Sequence, residues 1–151
     1  MDSGKRNTIL IVLLLILGAI MIFLLVRDRK ESVISRKTGY SIPDYCTVEK
    51  YEAYGSIFNR PRFEAKIKID TPEHMGDVIV DMNRLLGDDY HEIPLAEYNI
   101  EKYSLFADQK LMPEPTGTSW VIVGKAGQGT LVVFVCQESQ NYCYMYMYYN
   151  D

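Results

Sequence analysis

The 151-residue sequence predicts an α+β protein: an N-terminal transmembrane helix followed by a small domain with a mostly antiparallel sheet and one main amphipathic helix packed on it. Three observations predict this. An uncharged apolar run fills residues 8–26, a strictly alternating segment at 62–70 leads at once into an amphipathic one, and the last third consists of three β-rich runs separated by short turns.

The apolar run, TILIVLLLILGAIMIFLLV, follows a short polar tail at residues 1–7. As a helix it spans about 28 Å, close to the ~30 Å hydrocarbon core of a bilayer, where only a spanning helix satisfies its own backbone. A cleavable signal peptide carries an apolar stretch of about 7–15 residues and a small-residue cleavage site. Here the run is longer, and Arg27, Asp28, Arg29 and Lys30 close it with charge. Residues 27–43 then read as a basic juxtamembrane linker, with Gly39 and Pro43 as breakers. The excess of Lys and Arg after the helix argues for a cytoplasmic domain, whereas the very short basic tail before it is typical of anchors whose domain lies outside. The reading adopted is a single-pass protein of the cell membrane with its domain on the extracytoplasmic side.

Charge is divided unevenly between anchor and body. Residues 1–40 hold seven Lys and Arg against three acids, and residues 41–151 hold nine against 17. A body this acidic repels phosphate backbones, which excludes nucleic acid as a partner. The expected partners are therefore the bilayer, through residues 8–26, and a protein or glycan near it.

The soluble domain is expected over residues 44–151. In RFEAKIKID, residues 62–70, Phe63, Ala65, Ile67 and Ile69 alternate with charged residues, which places one face of a strand in a core. Residues 47–54 are its candidate partner, although they alternate poorly and read as partly helical. A helix follows, with Thr71 as N-cap, Pro72 at the first helical position and Gly87 closing it. Met75, Val78, Ile79, Met82, Leu85 and Leu86 form its apolar stripe. Residues 88–118 are broken by prolines, with one short strand expected at 103–107. Runs at 120–124, 130–137 and 142–149 complete an antiparallel meander.

Candidate chemistry is sparse. The glycines of residues 124–130 flank Lys125, but a phosphate loop needs Gly-Lys followed by Ser or Thr at a helix start, so a hairpin turn explains them. His74, Asp77 and Asp81 share one helix face, which is the solvated one, and His91 is the only other histidine. No metal site and no cofactor are expected from these spacings. Cys136 and Cys143 fall opposite one another if the turn between them centres on Ser139-Gln140, within reach of a disulfide. Most unusual is the end of the chain, where Tyr144, Tyr146 and Tyr148 alternate with thiol and thioether side chains. These three tyrosines are the candidate binding residues, since a row of phenols offers large contact area at low entropy cost. The same row also fits a strand packed on both faces, under the 88–118 segment.

The expected function is a membrane-tethered, non-catalytic binding or interaction domain. One alternative is a membrane-anchored hydrolase built on His91 or on the His74, Asp77, Asp81 face. Another is a small accessory subunit of a membrane complex, with the transmembrane helix as its contact surface.

Overall fold

The computed structural model describes residues 3–54, 62–93, 111, 113 and 119–151. The first helix, α1 (Ser3–Thr38), has 36 residues and is about 54 Å long. Its stretch Thr8–Thr38 is long and apolar enough to cross a membrane. Large apolar side chains from Ile9 to Leu25 are 45–69% exposed, so no described part of the domain covers them.

The segment expected to be a linker is helical as far as Thr38. The reason is burial: Ile34 is fully buried, and Thr38, one turn later on the same face, is 1% exposed. The Thr38 hydroxyl donates to the Ile34 carbonyl at 2.8 Å and accepts from the Tyr40 N–H at 3.0 Å. Gly39, at φ 78°, ends the helix, and its N–H bonds the Ser35 carbonyl. Hydrophobic periodicity does not reveal this docking, because it uses only two positions one turn apart.

Among the described residues the strands are β1 (Cys46–Tyr54), β2 (Arg62–Ile69), β3 (His91–Ile93), β4 (Ser119–Ala126), β5 (Gly129–Ser139) and β6 (Tyr142–Asn150). These six form one antiparallel sheet in the order β1-β2-β6-β5-β4-β3. The poor alternation of residues 47–54 has a cause: a register shift between Val48 and Lys50 changes which residues face inward along an otherwise extended edge strand. The expected strand at 103–107 and the loop at 55–61 lie outside the described residues.

Helix α2 (His74–Leu86) buries Met75, Val78, Met82 and Leu86. Gly87 closes it at φ 53° with its N–H on the Asn83 carbonyl. Thr71 does not cap the helix as expected. The chain enters through a tight turn, His74 N–H to Thr71 carbonyl and Met75 N–H to Pro72 carbonyl, while the Thr71 hydroxyl lies 3.4 Å from His74 Nδ1.

The sheet divides two cores. On one face, α2 and the last turns of α1 cover Ile67, Ile69, Met145, Met147, Leu131, Val133 and Val135. On the other, Val121, Val132, Phe134, Cys136, Tyr146 and Tyr148 pack with Leu111. The β4–β5 turn uses Gly127 at φ 62°, the first central position where a two-residue turn takes glycine. A Cβ there would stand 2.6 Å from the Lys37 carbonyl oxygen, so this turn also seats the end of α1.

Candidate functional site

The tyrosine row stands on the face away from both helices. The register that puts it there differs by one residue from the expected one. The turn centres on Gln140-Asn141, with a register shift between Gln137 and Ser139, so Tyr144, Tyr146 and Tyr148 oppose Cys136, Phe134 and Val132. A slip of one residue exchanges the faces of β5. It brings Phe134 edge-on to Tyr148, ring centroids 5.8 Å apart, and sends Val133 and Val135 to the helix side.

The same slip removes the expected disulfide. Cys143 opposes Gln137 and belongs to the helix-side core, whereas Cys136 belongs to the other, and all three cysteines are free. Burial pushes the Cys46 and Cys136 thiols up to about 12 and raises Cys143 as well. At neutral pH these groups are protonated and poor nucleophiles. Iodoacetamide is expected to leave all three unmodified in the native protein and to modify all three after denaturation without reductant. Native alkylation, or a pair resistant until reduced, contradicts this arrangement.

Along the row, exposure falls from one end to the other. Tyr142 is 48% exposed and Tyr144 is half-buried, while Tyr146 and Tyr148 are 2% and 1% exposed. Tyr148 donates its hydroxyl to the Leu111 carbonyl, and the Leu111 N–H donates at 3.0 Å to Oε2 of Glu64, which is wholly buried. The backbone N–H and C=O of Leu111 are thus both held. Tyr146 donates to Glu138 Oε1, whose Oε2 pairs with Lys66 Nζ at 3.0 Å. Burial and the Glu138 carboxylate both raise the Tyr146 phenol, keeping it a donor.

Two lysines of β2 complete the surface. Lys66 and Lys68 lie opposite Tyr146 and Tyr144 in register. Lys66 Nζ sits 3.8 Å from the centre of the Tyr144 ring, and Lys68 Nζ 4.9 Å from that of Tyr142. Such contacts contribute about 0.5–1 kcal/mol at exposed sites. They also occupy ring faces that a flat ligand would need. The groups still presented are the phenol edges of Tyr142 and Tyr144 and the Lys68 ammonium group, suited to carboxylate and carbonyl acceptors. Sequence reading missed the lysines because their strand pairs with β6 across about 80 intervening positions, and no local pattern announces a long-range pairing.

His74 begins α2, on the other side of the sheet, and His91 lies in β3, at the sheet edge three strands from β6. His74 Nδ1 lies 2.7 Å from Asp70 Oδ1, its ring stacks on Tyr45 at 4.2 Å, and it does not join Asp77 or Asp81. Asp81 instead pairs with Arg84 at 3.2 Å beside a cleft of about 310 Å³ lined by Gly39, Tyr40, Ser41 and Leu85, which contains no histidine. His91 contacts the Asp89 carbonyl. Among the described residues, no three metal-ligating side chains converge. The hydrogen bond that the His74 ring donates to the Asp70 carboxylate raises the His74 pKa from 6.5, and the same bond lowers that of Asp70 from 3.8. For His74 the contribution to stability is complete below 6.5 and lost as pH rises through the raised value. For Asp70 it is present above 3.8 and lost as pH falls through the lowered one. The pair therefore acts mainly in mildly acid solution. An NMR titration is expected to place His74 above 6.5, and Asp70→Asn to bring it down. An unchanged midpoint in that variant would falsify the assignment of the shift to Asp70.

Comparison of the chain with protein-family models, with curated proteins and with solved structures finds no match.

Proposed function

We propose that this protein is a single-pass membrane protein whose α+β domain binds a partner beside the bilayer and performs no catalysis. The observation carrying this reading is the division of apolar surface. Residues 9–25 of α1 expose theirs, while the domain seals its own into two cores. Large continuous apolar surface requires a cover, and for a helix of this length and composition a bilayer supplies one. The non-catalytic part draws support from the protonated thiols and from histidines held in surface pairs. The contact surface in this reading is Tyr142, Tyr144, Lys66 and Lys68, a smaller patch than the full tyrosine row. The domain is proposed to lie outside the cell.

Full-length protein is expected to stay with membranes through alkaline carbonate extraction. A cysteine placed at Val80, 57% exposed on α2, is expected to react with a membrane-impermeant maleimide in intact cells. Release by carbonate overturns the anchor, and protection from the reagent in intact cells but not lysed ones reverses the orientation. A photo-crosslinking residue at Tyr142 is expected to give a discrete adduct that Lys66→Ala with Lys68→Ala abolishes. An adduct unaffected by those substitutions overturns the assigned surface.

A further inference from the structure

Helix α1 runs directly into the domain, and its C-terminal end packs there. The helix continues without interruption from its exposed apolar stretch to Thr38. Its last turns are built into the fold by contacts of three kinds. Ile34 and Thr38 are buried in or beside the helix-side core. Lys37 Nζ pairs with Asp151 Oδ2 at 3.3 Å, tying the helix to the residue after β6. The Lys37 carbonyl lies so close to Gly127 that the β4–β5 turn tolerates no side chain there. Tyr40 then enters the core directly after the helix, 3% exposed. α1 also contacts β1, so the helix end is flanked by β1 and by the end of β6.

We propose that α1 and the domain move as one rigid body, so that the rotation and tilt of the helix in the bilayer set the orientation of the domain, and a partner of either one biases the other. A tether would let the domain turn freely; a stalk of this kind does not. Within a helix, each residue added or removed turns the downstream chain by about 100° and shifts it by about 1.5 Å. Coupling carried by such an element is reciprocal: a partner that selects one orientation of the domain selects one disposition of the helix. This inference rests on the membrane reading only for the medium in which the helix turns. The rigidity itself is independent of that reading.

Distances between pairs of spin labels test it on the full chain. The buried native thiols leave introduced cysteines as the reactive ones. One pair joins Leu15→Cys on α1 to Val80→Cys on α2; a reference pair, Val80→Cys with Tyr142→Cys, lies within the domain, all at exposed positions. In vesicles of phosphatidylcholine and phosphatidylglycerol, the Leu15–Val80 distribution is expected to be a single peak as narrow as the reference. A peak clearly broader than the reference, with the chain still sedimenting with vesicles, overturns the rigid junction. If the chain does not sediment with vesicles, the anchor reading fails, and the same comparison in detergent micelles decides the junction by itself. Adding Ile34→Asp is expected to broaden the Leu15–Val80 peak while the reference stays narrow. A peak that remains narrow in that variant overturns the assignment of the lock to Ile34.

Discussion

Ile34→Ala in the full chain is expected to lower the stability of the domain by about 3 kcal/mol, although this residue lies before the region that reads as the domain. Ile34 is wholly buried, and large-to-small changes at such positions cost roughly 2–5 kcal/mol. For a domain of about 110 residues, that corresponds to a fall in melting temperature of some 12 °C, each kcal/mol being about 4 °C. Thermal unfolding followed by circular dichroism in detergent micelles measures it. Truncation enlarges the effect: a chain beginning at Ser41 lacks Ile34 and also Tyr40, a second core side chain. An aromatic residue in a core contributes about 3–5 kcal/mol, so together the losses exceed about 5 kcal/mol, comparable with the whole stability of many domains. The apolar positions Ile67, Met147 and others on the helix-side face then lose part of their cover, and the shortened chain is expected to aggregate. Equal urea midpoints for chains beginning at Lys30 and at Ser41 contradict the docking of α1.

The difference between what could be read and what could not tracks the range of each interaction. The alternation of Phe63, Ala65, Ile67 and Ile69 and the stripe of Met75, Val78, Met82 and Leu86 are local patterns with one physical cause, a buried face, and both elements form where that pattern lies. The glycine-rich turn at residues 127–128 is equally local, since one position needs positive φ. The register of β5 against β6 depends on where a short turn centres, and the polar residues from Glu138 to Asn141 allow several choices. One residue of difference is enough to exchange the two faces of β5 and to pair two cysteines that the sheet keeps on opposite sides. The β2–β6 pairing and the docking of Ile34 join distant parts of the chain. Lys66, Lys68 and Glu138 are consequently invisible in the sequence as companions of the tyrosines.

The tyrosine row is expected to divide sharply under substitution, and the division tests how much of it is surface. Tyr146→Ala and Tyr148→Ala are each expected to cost about 4 kcal/mol, as large aromatic truncations in cores do. Both side chains are almost fully buried, and each ends in a hydrogen bond that holds another group in place. Removing the Tyr148 hydroxyl alone, as Tyr148→Phe, isolates the bond to the Leu111 carbonyl and is expected to cost about 1 kcal/mol. Tyr142→Ala is expected to change stability by no more than about 0.5 kcal/mol, since that ring is half exposed and its partner Lys68 remains solvated. Tyr144→Ala falls between them, because it removes the ring on which Lys66 rests and leaves the Lys66–Glu138 pair intact. Urea unfolding of the four variants measures the series. The outcome that contradicts the structure is a uniform one, small losses at all four positions, which would mean that Tyr146 and Tyr148 face solvent and the whole row is open to a partner. With the expected gradient, Tyr142 and Tyr144 are the positions where substitution separates binding from folding. Tyr146 and Tyr148 instead pack with Leu111, which Tyr148 also holds by its hydroxyl, and set the edge at which that contact surface begins.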